Sequence, residues 1–367
     1  MEKWITCQLG DLITFQRGHD LPKTQMCGGE YPVVGSNGII GYHNEYTTEE
    51  PSITIGRSGN VGKPFLYKGK SWSHNTSLYI KEFKGVDPIF IYYFLQTLDL
   101  GNYAGGSAVP TLNRNHIHTL EVTVPSDIHV QCQIASILSV LDTQIENNSA
   151  INQNLAEQRM ALFKSWFIRF DPFMGQRPNS WKIIQFSDFL IERKEKSNDP
   201  DIPLYSITDT GIYPREKKFN KKLSAKTTFN KVLYKNDLAF GMSREILNWG
   251  VMKDTVGAVS SAYNVYSVNN GISSVYLELF MKSKIGTFRD LIRPATREGQ
   301  SIDKGCLMNK IIYYPDETIL ERYLIFDSIF ENKMSVIQKE TNALQELRDT
   351  LLPKLMSGEL DVSGVDI

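Results

Sequence analysis

Cysteine is scarce in this chain of 367 residues: Cys7, Cys27, Cys132 and Cys306 stand far apart, with no CxxC or paired spacing. That excludes a disulfide framework and a zinc-ribbon type of site, and it fits a reducing compartment. Long apolar runs are missing as well. None approaches the roughly 18 residues of a membrane span, and the opening Met-Glu-Lys-Trp has no apolar stretch of the kind a secretory signal carries. The expectation is a cytoplasmic protein, neither secreted nor inserted in a membrane. Net charge is close to nil, at −1, with 22% charged and 41% hydrophobic residues, which is the composition of a globular protein.

Catalytic signatures are equally thin. The run from Gly56 to Pro64, GRSGNVGKP, is a near miss for a P-loop: the template needs glycine where Arg57 stands and Ser or Thr where Pro64 stands, so the magnesium-binding hydroxyl is absent. A glycine-rich loop offering backbone N–H groups to DNA phosphates, or a plain hairpin turn, are the remaining readings. No Asn-Pro-Pro-aromatic motif for amino-group methylation occurs, and no glycine-rich cofactor loop follows a strand. Asp171 with Glu192-Arg193-Lys194 offers an acid and an ExK unit for nuclease chemistry, but Asp171 falls at a helix exit. The six histidines, His116 and His118 included, lack metal-ligand spacing and read as facing solvent or DNA. No metal, cofactor or self-contained chemistry is expected.

Periodicity is what the chain has in abundance. Counting by threes and fours from Ile134 gives Leu138, Leu141, Ile145, Asn148, Asn152, Leu155, Arg159, Leu162 and Trp166, a coiled-coil seam with two asparagines at its centre. The pattern returns 189 residues later as Tyr323, Asp327, Phe330, Met334, Ile337, Thr341, Leu344, Arg348, Leu351 and Leu355. Four to five heptads make a rod of roughly 50 Å at 1.5 Å per residue. Pro353 is expected to end or kink the second helix near its C-terminus.

The stretches before each seam repeat too. Residues 1–127 hold short β-type runs (53–55, 65–67, 78–80), an apolar helix over 89–98 opened by Pro88, and a last strand over 119–124 closed by Pro125. Residues 178–315 follow the same plan: Trp181 and Phe186 to Phe189 echo Trp4 and Leu9 to Leu12, 237–241 echoes 52–56, 275–282 echoes 91–98, and Tyr314-Pro315 echoes Val124-Pro125. The chain therefore reads as an α+β protein built by tandem duplication: a mixed α/β domain (1–127), a long helix (128–177), a second α/β domain (178–315) and a second helix (316–367). The two helices are expected to pair antiparallel, giving the molecule an internal pseudo-two-fold repeat.

Words at the helix ends carry a resemblance. FKSWFIRFDPF (163–173) and LLPKLMSGEL (351–360) look like the endings of the conserved regions of type I restriction-modification specificity subunits, and the domain-helix-domain-helix layout resembles that family over the whole chain. YPVVGSNG (31–38), RSGNVG (57–62) and PTLN (110–113) resemble segments recurrent in its target-recognition domains. The second domain departs from that pattern, with IPLYS (202–206) where a Gly-Ser-Asn-Gly loop is expected. The resemblance implies a non-catalytic subunit that reads a bipartite site in double-stranded DNA, one half-site per domain. Two methyltransferase subunits, and in the full complex nuclease/translocase subunits, would assemble around it.

Reading DNA takes phosphate contacts for register and base-edge contacts for sequence. Amide, guanidinium and hydroxyl groups expected on loops give the candidates Ser36, Asn37, Arg57, Asn75, Asn113 and Arg114 in the first domain, and Ser206, Thr208, Arg244, Tyr263, Arg297 and Gln300 in the second. Residues 181–315 carry 21 Lys/Arg against 14 Asp/Glu, a surplus of seven, and Lys217, Lys218, Lys221, Lys222 and Lys226 are candidate phosphate contacts. Trp4, Trp181, Tyr92 and Tyr93 read as core. A coiled-coil scaffold whose domains bind proteins or glycans is the competing reading.

Overall fold

The computed structural model describes residues 4–106, 110–215, 229–292, 302–362 and 364. The chain divides into two compact units, Met1–Asn152 with Ser335–Ile367, and Gln153–Met334. The architecture is mixed α/β, with two 40-residue helices at Ile128–Phe167 and Glu317–Met356.

In unit 1 the strands are β1 (Trp4–Gln8), β2 (Ile13–Arg17), β3 (Tyr31–Gly35), β4 (Gly38–His43), β5 (Ser52–Gly56), β6 (Pro64–Tyr67), β7 (Trp72–Ser73), β8 (Ser77–Phe83), β9 (Ala104–Gly105), β10 (Thr111–Leu112) and β11 (Glu121–Pro125). The helices are α1 (Leu9–Leu12), α2 (Pro88–Gln96), α3 (Arg114–His118) and α4 (Ile128–Phe167), the last shared with unit 2. The principal sheet runs β2-β8-β5-β6, all antiparallel. Every residue of Ser52–Gly56 is buried, as a central strand covered on both faces must be. Helix α2 starts where Asp87 accepts the Phe90 N–H at 2.7 Å and Pro88 fills the first turn, and it buries Phe90, Ile91 and Phe94. Gln131, itself buried, locks α4 to the domain: its Oε1 accepts the Asp87 N–H at 2.9 Å and its Nε2 donates to the Pro125 carbonyl at 2.9 Å.

Unit 2 holds β12 (Lys182–Gln185), β13 (Leu190–Glu192), β14 (Tyr205–Thr208), β15 (Gly211–Pro214), β16 (Lys231–Tyr234), β17 (Leu238–Phe240), β18 (Trp249–Val251), β19 (Val256–Val259), β20 (Asn264–Val268) and β21 (Ile311–Tyr314). Its further helices are α5 (Ser274–Ser283), α6 (Lys304–Met308) and α7 (Glu317–Met356), the last shared with unit 1. The sheet β13-β20-β17-β18 has the strand order of β2-β8-β5-β6. Both units open on the same device: Gln8 with Asp11 and Gln185 with Asp188 each form a reciprocal capping box behind the first strand. Both close that first strand on the last, β1 on β11 and β12 on β21.

Within each unit, halves of the two long helices pack on the domain and on each other. In unit 1, Ile134 and Leu138 of α4 share one core with Leu355 and Met356 of α7, and Arg348 pairs with Asp142 at 2.8 Å. In unit 2, Phe163 and Phe167 meet Tyr323, with ring centroids 5.7 and 4.8 Å apart, and Arg159 clasps Asp327 through two bonds of 2.7 and 2.9 Å. All twenty seam positions named from the sequence are buried or half-buried.

Pro353 does not end the helix where it stands: α7 continues through it to Met356. So close to the C-terminal end, the helix tolerates one missing backbone bond. A correction concerns 202–206. Tyr205 and Ser206 belong to strand β14, and Ser206 is buried rather than carried on a loop, because Tyr205 and Ile207 anchor the strand in a small core with Leu233 and Val265. The turn that stands where Ser36-Asn37 stands in unit 1 is Asp209-Thr210, between β14 and β15.

Candidate nucleic-acid interface

In unit 1 the loops bearing Ser36 and Arg57 converge on Thr76, between β7 and β8. Its Oγ1 accepts the Ser36 N–H at 3.3 Å, its carbonyl accepts the Arg57 and Ser58 N–H groups at 2.8 and 3.3 Å, and its hydroxyl lies 3.1 Å from His74 Nδ1. Ser36 is buried, and its Oγ lies 3.2 Å from where a Cβ on Gly59 would sit, so this serine positions the neighbouring loop. Asn37 is exposed at the β3–β4 turn. Asn75 donates to Asp20, and Asn113 is occupied as the cap of α3, accepting the Asn115 N–H at 3.0 Å. Nothing in the sequence singles out Thr76, since a residue that ties three segments together through its hydroxyl and its carbonyl has no local signature.

The loop between β5 and β6 is a hairpin turn and not an amide cradle. Gly56 N–H donates to the Lys63 carbonyl, Val61 to Gly59 and Gly62 to Gly56, at 3.1, 3.0 and 2.8 Å, while Arg57 and Ser58 donate to Thr76. Five amides are thus committed within the protein. A side chain at Gly56 has no room, because a Cβ there would lie 1.8 Å from the Asn60 carbonyl oxygen. The Arg57 carbonyl in turn receives the Leu112 N–H at 2.8 Å, which draws the segment bearing Asn113 and Arg114 against this loop.

Together these elements enclose a cleft of about 520 Å³ lined by Arg17, Arg57, Thr111, Asn113, Arg114 and His116. Burial, and then the charge of Arg17, hold the Arg57 guanidinium below its ordinary value. Beside the cleft, His118 accepts the Phe15 N–H at 2.9 Å; burial, followed by Arg114 and Lys84, lowers its pKa and favours the neutral ring. Arg17 was missed as a candidate, although it stands six residues after the capping Asp11 just as Lys194 stands six after Asp188.

In unit 2 the loop between β17 and β18 is the counterpart of the Arg57 loop and carries Arg244. Gly241 N–H donates to the Asn248 carbonyl at 2.9 Å, and buried Ser243 accepts the Asn248 N–H at 2.8 Å, which leaves Arg244, Glu245 and Ile246 at an exposed tip. With Asp209 they line a cleft of about 580 Å³. Thr208 shares a 3.0 Å hydrogen bond with Thr210 across the turn that presents Asp209. Tyr263 is spent on structure: it packs against the Tyr205–Ile207 core and its carbonyl accepts Lys231 Nζ at 2.6 Å. Lys217, Lys218, Lys221, Lys222, Lys226, Arg297 and Gln300 lie outside the described residues.

The nuclease candidates are otherwise engaged: Asp171 is held by Arg169 at 2.9 Å and Glu192 by Lys304 at 2.5 Å. Among the described residues no three His, Cys, Asp or Glu side chains converge as metal ligands, and no helix is long and apolar enough to cross a membrane.

Residues 1–157 match the family model described as the type I restriction modification DNA specificity domain. Over 316 residues the chain is 26% identical to the type I restriction enzyme MjaIX specificity subunit of Methanocaldococcus jannaschii, covering 76% of this chain and 70% of that protein. Sequence and family model alike liken the chain to type I restriction-modification specificity subunits. Another relative, the EcoprrI specificity subunit of Escherichia coli, is 29% identical over 141 residues, 37% of this chain and 35% of that one. The fold agrees: the S subunit of a type I restriction-modification system from M. genitalium superposes with a TM-score of 0.62 at 16% identity, covering 96% of both chains.

Proposed function

We propose that this chain is a non-catalytic specificity subunit of a type I restriction-modification complex: it reads a bipartite sequence in double-stranded DNA, one half-site through each α/β unit, and serves as scaffold for two methyltransferase subunits and, in the full complex, nuclease/translocase subunits. The observation that carries the reading is the recurrence of one frame with different reading surfaces. The matched sheets β2-β8-β5-β6 and β13-β20-β17-β18 each present an arginine on the same inter-strand loop, Arg57 and Arg244, amid otherwise different side chains. A shared frame supports one docking mode, and different side chains support two different half-sites.

In this reading α4 and α7 form an antiparallel coiled coil, and the molecule is an internal pseudo-two-fold repeat. Two ion pairs support the repeat: Arg159–Glu331 at 2.5 Å and Arg348–Asp142 at 2.8 Å. Arg348 lies 189 residues beyond Arg159, and Glu331 lies 189 beyond Asp142. Exposed apolar side chains on α7, Ile325, Phe326 and Ile329 in unit 2 and Val336 in unit 1, suit a helix that receives further subunits. A domain exchange tests the proposal. Replacing residues 1–127 with the matching domain of a relative should change one half-site of the cellular adenine methylome and leave the other unchanged; a change in both refutes independent reading.

A further inference from the structure

The arginine cleft of unit 1 is anomalous electrostatically. Arg159, Arg193 and Arg348 each sit against a carboxylate. None of the residues lining the cleft is acidic, and among the described residues Arg17, Arg57 and Arg114 form no ion pair. Three cations gathered without a counter-charge cost free energy in the unliganded protein, through mutual repulsion and, for Arg57, partial burial. The arrangement is offset when an anion enters.

The positions of the corner recur in unit 2, there with Glu192 paired to Lys304. Arg114 directly follows the cap residue of α3, Asn113, and Lys304 directly follows the cap residue of α6, Asp303. Arg17 and Lys194 hold the same offset from their capping boxes. Lys231 joins the second corner; its pKa is lowered by burial and then, against the opposing pull of Glu192, by Lys304, Lys194 and Lys196. Side chains that read different bases have no reason to agree between the units, whereas side chains that grip the backbone do, because every half-site presents the same phosphates.

We propose that the cleft of Arg17, Arg57 and Arg114 is a phosphodiester clamp that fixes the register of unit 1 on the strand. Arg57 and Arg114, candidates for base reading by sequence, are thereby backbone contacts. Arg244, on the same loop of unit 2 as Arg57 in unit 1, is a backbone contact by the same argument, and base discrimination falls to exposed groups that differ between the units, Asn37 in unit 1 and Glu245 in unit 2. The inference rests on the DNA-recognition reading.

The test uses the full chain assembled with its methyltransferase subunits and a fluorescent duplex bearing the sequence they methylate, titrated over a range of salt. R17Q, R57Q and R114Q should each weaken binding by the same factor on the target duplex and on duplexes altered at each first half-site base pair. Each should also lower the slope of log affinity against log salt by about one. R57K should restore the slope. Since Arg57 is held by its backbone N–H and carbonyl, the side-chain changes leave the loop's own bonds in place. A methylphosphonate at one linkage should weaken the wild type and not R57Q. The clamp is overturned if a variant relaxes discrimination at a single base pair, or leaves affinity and slope unchanged. It is also overturned if inorganic pyrophosphate protects the wild type but not the variants from heat while DNA binding is unaltered, which marks a small-anion site. Failure of the wild type to prefer its target over random duplex refutes the recognition reading instead, and the salt slopes still decide the clamp, because non-specific binding also runs through phosphate.

Discussion

Replacing Asp327 with Ala is the sharpest probe of how the long helices hold together in unit 2. The Asp327 side chain is 4% exposed and that of its partner Arg159 8%. The carboxylate takes two hydrogen bonds from the guanidinium, and the Tyr323 hydroxyl donates to it at 3.3 Å. Burial alone would lower the Arg159 pKa; the hydrogen bond and charge of Asp327, aided by Glu331, outweigh it and raise it. Removing one partner of a buried pair costs about 3–5 kcal/mol, because the other charge is left without compensation. Glu331, 2.5 Å from the guanidinium but 46% exposed, keeps one contact and places D327A near the lower end, about 3 kcal/mol. With a urea m-value of about 2 kcal/mol/M, the unfolding midpoint of unit 2 should fall by about 1.5 M. Trp166, Trp181 and Trp249 report that unit by fluorescence, and Trp4 and Trp72 report unit 1. The double variant R159M/D327L, which removes both charges, should return to within about 1 kcal/mol of the wild type. R348A, at a pair whose side chains are 29% and 24% exposed, should cost unit 1 about 1 kcal/mol. A D327A shift below about 0.3 M, or a double variant no better than the single, refutes the buried-charge argument.

G56A forces a Cβ onto the Asn60 carbonyl and should destabilise unit 1 by about 1–3 kcal/mol and weaken DNA binding together, read by urea titration and anisotropy. The lowered pKa of His118 gives a stabilising contribution that is fully present above the unfolded value near 6.5 and is lost as pH falls through it, since the unfolded chain then binds the proton more readily. H118N should flatten that part of the stability–pH curve of unit 1, and an unchanged slope counts against the assignment. Glu278 is buried, which alone raises its pKa, but Lys282 and Lys253 lower it on balance. Its contribution should therefore persist above the unfolded carboxylate range and disappear on acidification through the folded value, a limb that E278Q removes. Four residues inserted between Asn148 and Asn152 add about one helical turn, roughly 5–6 Å, and should lengthen the unread spacer of the methylated sequence by about one or two base pairs; an active variant with an unaltered spacer shows that the helices are not the ruler.

The sequence by itself determined the elements whose cause is local or periodic. Ten positions in each seam repeat every three or four residues, and all are buried or half-buried, because a helical period binds a side chain to one face whatever lies beyond it. The Pro88 helix start and the runs 53–55, 65–67 and 78–80 followed from neighbours in the chain in the same way. The tertiary structure decided which polar side chains are free to meet a ligand. Ser36, Ser206 and Tyr263 looked like surface groups and are buried or structural, whereas Arg17 gained its meaning when β2, the Arg57 loop and α3 were brought together around one cleft. Whether a charge is neutralised depends on residues distant in the chain: Arg159 meets Asp327, while Arg57 meets Arg17. Long-range electrostatics of that kind has no period, and only the folded chain sets it.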